Sequence, residues 1–196
     1  MKIIIFTENN RGGGMDTFIG SLINNWPKKE DTFTVICNQN HPGITYLANL
    51  LTDDTKLVKH ASLLSILPFI AQRALRQLFR VLLSPIQYFL IKNLLRQENG
   101  DHLFSVNGGY PGGETCRLAN IAWKKLNKTQ SVHNIHNFAI NYRRVFSIYE
   151  TFMDKQLEAS CSHIVAVSKA CADSLSIRPV FSKSNKIIHI YNGLDD

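Results

Sequence analysis

Seven short apolar runs, rich in β-branched and aromatic residues and separated by helical patterns, constrain this chain most: 2–7, 32–37, 56–59, 102–106, 129–134, 163–167 and 186–191. Runs of this length read as buried strands, and strands alternating with helices form a parallel, doubly wound sheet. The expectation is an α/β domain with a mainly parallel sheet of about six or seven strands. Phe18, Ile19, Leu22, Ile23 and Trp26 fall at spacings of three and four, predicting a first helix from Met15 to Trp26 that Pro27 ends. Helical patterns over about Asn141–Ala159 and Lys169–Ile177 flank the strand at 163–167, and Ser168 stands where it would cap the second of them. With 196 residues and 44% apolar content the chain can bury a full core as one domain.

The stretch from about Ser62 to Arg96 is helical in pattern and longer than an ordinary crossover, so a long helical insertion is expected around 62–98, broken at Pro68 and Pro85. No acidic residue occurs between Asp54 and Glu98, whereas Arg73, Arg76, Arg80, Lys92 and Arg96 stand among Leu, Ile and Phe. Two readings stay open. The apolar side packs on the sheet with the cations solvated, or the stretch lies on an anionic membrane surface with its cations at the head groups.

Cys37, Cys116, Cys161 and Cys171 form neither a CxxC pair nor a compact framework, which argues against a structural zinc site and a disulfide scaffold and for a reducing, cytoplasmic setting. The apolar start at Met1–Phe6 is too short for a signal peptide. A net charge of +7 favours an anionic partner. Nucleic acid is disfavoured, because the cations share their stretch with aliphatic residues and no aromatic stacking surface is evident.

Gly12, Gly13 and Gly14 follow the first strand and open a helix, where backbone N–H groups and the helix dipole can meet a phosphate. The spacing is not GxGxxG, and Cys37-Asn38 stand where a dinucleotide fold places an acid, so a nicotinamide-dependent oxidoreductase is poorly matched. A second loop, Asn107-Gly108-Gly109-Tyr110-Pro111-Gly112-Gly113, also follows a strand. In a parallel sheet both loops reach one edge, and their convergence favours ligand contact over the alternative that each is a tight turn. His133 and Asn134 end the next strand pattern, with His136 and Asn137 just beyond, so these also point to that edge. His133 is the stronger candidate for substrate contact, His136 the weaker. No Asp, Glu or Cys flanks the pair, so metal ligation is not expected.

Taken together, Gly12-Gly13-Gly14-Met15-Asp16-Thr17-Phe18, Val132-His133-Asn134, Ile164-Val165-Ala166-Val167-Ser168-Lys169-Ala170 and Ile188-His189-Ile190-Tyr191-Asn192-Gly193-Leu194-Asp195 resemble the amino-terminal domain of retaining family 4 (group 1) glycosyltransferases of the GT-B type. The resemblance implies a Rossmann-like acceptor-side domain facing a second, donor-binding domain absent from this chain, with Asn192 and Gly193 at the interdomain hinge. It further implies Gly12 to Gly14 beside the donor phosphates and sugar and His133 as the catalytic cleft histidine, while strand-end topology makes Asn107, Gly108, Gly109, Tyr110, Asn134 and His136 the acceptor or cleft-lining candidates. No metal or other cofactor is expected. The partners would be a nucleotide-sugar donor, held mostly by the other domain, and a glycan or lipid-linked acceptor; the basic helical stretch suggests cell-envelope polysaccharide synthesis, in the cytoplasm or peripherally at the inner face of the membrane.

The family's paired glutamates belong to the second domain. Glu150 and Glu158 share that separation, but they lie in a helical pattern before the Val-Ser-Lys strand and are read as a decoy. The expectation is that residues 1–196 do not transfer sugar alone. The competing reading is a non-catalytic module docking on membrane or a partner protein.

Overall fold

The computed structural model describes residues 1–63, 69–126 and 128–193, with side chains described outside 69–78. The strands are β1 (Lys2–Thr7), β2 (Thr32–Asn38), β3 (Lys56–His60), β4 (His102–Asn107), β5 (Ser131–Ile135), β6 (Cys161–Ala166) and β7 (Ile187–His189). The helices are α1 (Gly14–Asn24), α2 (Ile44–Leu50), α3 (Phe69–Glu98), α4 (Glu114–Lys124), α5 (Ser147–Ser160) and α6 (Lys169–Ser174). Short 3-10 turns at Arg144–Phe146 and Leu175–Ile177 lead into α5 and extend α6.

All seven strands run parallel in the order β3-β2-β1-β4-β5-β6-β7. The fold is Rossmann-like α/β, as the alternation of apolar runs predicts. Successive residues of β1 supply opposite layers, because side chains alternate across a strand. Ile3 and Ile5 pack with Ile19 and Ile23 of α1, whereas Ile4 and Phe6 pack with Ile91 and Leu95 of α3 and Trp123 of α4. The order reverses between β1 and β4, and a crevice opens at such a switch point beyond the carboxyl ends of the strands.

Three local expectations are corrected. β5 runs to Ile135 rather than ending at Asn134, which moves the strand end toward His136. β7 is confined to Ile187–His189, with Asn192 and Gly193 exposed after it and Leu194 and Asp195 outside the described residues. The helix does not break at Pro85 but runs through it. A proline inside a helix costs about 3 kcal/mol; here Ile91 and Leu95 are buried beneath the helix, and Tyr149 donates a 2.8 Å hydrogen bond to Ser84 beside the proline. Pro68 and the side chains of Arg73 and Arg76 lie outside the described residues.

Candidate functional site

Two glycine loops meet at the switch point. After β1 the chain turns through Glu8–Gly13 into α1, and after β4 through Gly108–Gly113 into α4. A methyl group built on Gly108 would stand 3.3 Å from Met15 Sδ, so the second loop lies directly against the first turn of α1. Glu8 joins the two from below, its Oε2 accepting from the Thr115 amide at 2.9 Å and the Thr115 hydroxyl at 2.8 Å at the start of α4.

The first loop is held by a buried polar network. Asp16 Oδ2 accepts the Gly13 N–H at 3.0 Å, while its Oδ1 lies 2.8 Å from His41 Nε2 and accepts from Asn9 Nδ2 at 3.2 Å. Asp16 occupies the third helical position, where a carboxylate reaches back to the N-cap amide. Gly13 adopts φ 143°, a conformation that favours glycine. Gly12, Gly13 and Gly14 remain exposed along the rim at the positive end of α1. Asp16 and His41, which the sequence reading missed, are thus the supports of the loop; the three-residue spacing from Gly13 to Asp16 was a usable signal for the first of them.

In the second loop the side chains expected in the cleft are mostly structural. Asn107 is buried; its Oδ1 accepts from the Gly113 amide at 2.9 Å and its Nδ2 donates to the Pro111 carbonyl at 3.2 Å. Gly112 sits at φ 54°, and a Cβ there would fall 2.2 Å from Asn107 Oδ1. The Tyr110 ring is buried, and its hydroxyl donates to Asp154 Oδ1 at 2.5 Å. Asn134 is also buried and donates to the Val165 carbonyl at 3.2 Å. Of this loop Gly108 and Gly112 are exposed and Gly109 half-buried, so their backbone can face a ligand.

The two histidines are placed differently from the sequence expectation. His133 is fully buried in mid-strand, with Nδ1 2.7 Å from Ser105 Oγ and 3.1 Å from Asn120 Nδ2. Burial, with Arg117 nearby, pushes its imidazole down to about 3. A fully buried ring touches no substrate, so the geometry does not support His133 as a cleft residue. His136 lies just past the end of β5, half-buried at the rim, its N–H donating to the Asn107 carbonyl at 2.9 Å and its ring edge-on to Phe18 at 4.5 Å. Burial holds it down to about 4, so it is neutral at neutral pH.

Beyond the Gly108–Gly112 loop, on the α3 side, lies an open recess of about 280 Å³ bounded by Arg80, the loop backbone, Asn137, Phe138, Ile140 and Arg143. Arg80 and Tyr110, which line it, belong to a buried ion cluster behind the recess. Arg178 is buried between the Tyr110 and Tyr142 rings, at 4.9 and 4.6 Å, and pairs with Glu150 at 2.8 Å and Asp154 at 2.9 Å. Arg117 and Arg80 both pair with Glu114, the latter at 2.7 Å. Glu150 is therefore paired inside the fold, whereas Glu158 lies 3.8 Å from Lys186. Arg80 is equally engaged and is not a free surface cation. Ser168 Oγ accepts from the Cys171 amide, the cap expected for α6. Among the described residues no three His, Cys, Asp or Glu side chains converge as a metal site requires.

Comparison with known proteins bears on this geometry. Residues 12–196 match the family model described as Glycosyltransferase Family 4. Comparison of the sequence with curated proteins gave no match. Among solved structures, UDP-GlcNAc 2-epimerase from Neisseria meningitidis bound to UDP-GlcNAc aligns at TM-score 0.57 and 10% identity, covering 96% of this chain and 46% of that one. MurG from Acinetobacter baumannii aligns at TM-score 0.56 and 8% identity, covering 87% and 42%. The UDP-GlcNAc 2-epimerase of Methanocaldococcus jannaschii aligns at 0.55 and 14%, covering 97% and 45%. At these identities the likeness concerns the fold, and the chain spans less than half the length of each of these proteins.

Proposed function

The chain belongs to glycosyltransferase family 4, and from that premise we propose that it forms the acceptor-side half of an enzyme that transfers a sugar from a nucleotide-sugar donor to a glycan or lipid-linked acceptor of the cell envelope. The observation that carries the reading is the convergence of the exposed Gly12–Gly14 rim, the Gly108–Gly109 backbone and His136 at the switch point of the sheet.

In this proposal the Gly12–Gly14 amides and the α1 dipole meet the donor's phosphates as they depart, supplying fixed positive charge where negative charge develops. His136, neutral and at the rim, contacts the transferred sugar. The recess beside Arg143 receives the acceptor. A second, donor-holding domain completes the cleft, and transfer proceeds with retention and without a metal. Residues 1–196 alone bind weakly and do not turn over. The uridine nucleotide sugar named with one structural neighbour makes UDP-sugars the first donors to try.

The test is transfer of radiolabelled sugar from UDP-sugars by the longer protein that contains both domains. His136→Ala is expected to reduce turnover by a factor of about 100 or more at unchanged melting temperature, the scale seen when one group facing transition-state charge is removed. Full activity in His136→Ala, or robust turnover by residues 1–196 alone, would overturn the proposal.

A further inference from the structure

The recess beyond the Gly108–Gly112 loop has walls that the fold holds in place. The Ile140 N–H donates to the Tyr110 carbonyl at 2.9 Å, lacing the segment after β5 to the loop after β4. From behind, Arg178 Nε donates to the Ile140 carbonyl and the Ala139 N–H donates to Ser174 Oγ, both at 2.9 Å. On this framework Phe138 and Ile140, which line the recess, stand 59% and 50% exposed. Apolar side chains on a rigid concave wall suit the non-polar face of a ligand.

The rest of the lining offers donors and positive charge. Arg80 and Arg143 both border the recess. The carboxylates around Arg80 and Tyr110 are already taken: Glu114 pairs with Arg80 and Arg117, and Glu150 and Asp154 pair with Arg178. Arg80 is thus a fixed charge, whereas Arg143 is exposed and, among the described residues, pairs with no carboxylate. The N–H groups of Gly108, Gly109 and Gly112 donate to no protein group among the described residues, although those of Tyr110 and Gly113 beside them do. Asn137 Oδ1 accepts the Phe138 N–H at 2.8 Å, which leaves Nδ2 as a further donor. Such a lining matches an oxyanion, and a guanidinium presents the fork that a carboxylate or phosphate accepts.

On the reading that the recess receives the acceptor, we propose that it is a subsite for one acidic sugar unit of that acceptor. The carboxylate or phosphate of the unit is held by Arg143 and the Gly108–Gly109 amides, and its ring lies against Phe138 and Ile140. About 280 Å³ is small for a ligand pocket, so the site takes a single unit rather than a chain of them. A neutral sugar satisfies the apolar wall but leaves Arg143 without a counter-charge, so the acid is selected over its neutral analogue. Gly108, which lines the recess, also lies against Met15 in the first turn of α1, which puts the bound unit one loop away from the Gly12–Gly14 rim.

Amide chemical-shift titration of the 196-residue chain with D-glucuronate, D-glucose 6-phosphate and D-glucose, at matched ionic strength, tests it. At least one of the acids is expected to shift Gly108, Gly109, Gly112 and Ile140 with an affinity at least about tenfold above that of glucose. The tighter of the two acids identifies the anion as carboxylate or phosphate. Arg143→Gln should remove that advantage and leave glucose binding as it was, and Arg143→Lys should recover part of it. The Arg143 side chain is exposed, so the melting temperature is expected to hold. Phe138→Ala should weaken all three sugars alike. No shift from either acid, equal affinity for acid and neutral sugar, shifts reproduced in full by inorganic phosphate, or acid binding indifferent to Arg143→Gln would overturn the proposal. Neither donor nor second domain enters this titration, so its failure removes the subsite and leaves the transferase reading to the turnover of His136→Ala.

Discussion

Asp16 and His41 lie 2.8 Å apart with neither side chain exposed, and the same carboxylate accepts the Gly13 amide. The first glycine loop is therefore built from its own helix and from the loop after β2 together. Removing the carboxylate leaves its buried polar partners unsatisfied, so Asp16→Ala is expected to destabilise the fold by about 1–3 kcal/mol. Urea unfolding measures the loss, and hydrogen exchange at Gly13 should accelerate in His41→Ala even under conditions where the fold persists.

Gly112 and Gly14 make opposite demands. At Gly112 a side chain would collide with Asn107 Oδ1 in a left-handed backbone, whereas Gly14 has nothing within 4 Å. Gly112→Ala is expected to lose at least about 2 kcal/mol, and Gly14→Ala to stay within about 0.5 kcal/mol of the parent. Thermal melts of the two variants check the contrast.

Arg178 holds together segments far apart in sequence. Removing it strands Glu150 and Asp154 in the interior, so Arg178→Ala should cost about 3–5 kcal/mol, measured by urea titration. Replacing Glu158, half-exposed in its pair with Lys186, should shift stability by no more than about 1 kcal/mol.

The pH dependence follows from two histidines. His133 and His136 are held down to about 3 and about 4, below the ordinary 6.5, so the unfolded chain binds protons that the folded chain refuses. Stability from this source is complete above about pH 6.5 and declines as pH falls toward 4, by at most about 1.4 kcal/mol per unit for each histidine. Urea midpoints at pH 7.5, 6 and 5 should fall in that order. A midpoint that rises on acidification contradicts the burial of both rings.

The sheet was readable because the central parallel strands are buried on both faces and so appear as apolar runs, as Lys2–Thr7 and Thr32–Asn38 do. The site was readable only as far as topology carries it. That Gly12–Gly14 and Gly108–Gly109 share an edge follows from strand order, but the choice between His133 and His136 turned on where β5 ends, a difference too small for hydrophobic pattern to settle. The supports of Tyr110 and Asn107 were hidden because they are long-range: Asp154 and Arg178 come from later elements and meet under the loop only in the folded state. The two readings of the 62–98 stretch stayed open for a different reason, since a helix apolar on two sides gives no stripe that says which side faces the core.

Amide chemical-shift mapping of the 196-residue chain with UDP-N-acetylglucosamine, UDP-glucose and free UDP tests the central claim most directly. The account predicts shifts concentrated at Gly12–Gly14, Gly108–Gly109 and His136–Phe138, weakened in a Gly13→Val variant. Shifts at the amino ends of the strands, or none at millimolar ligand, would contradict it.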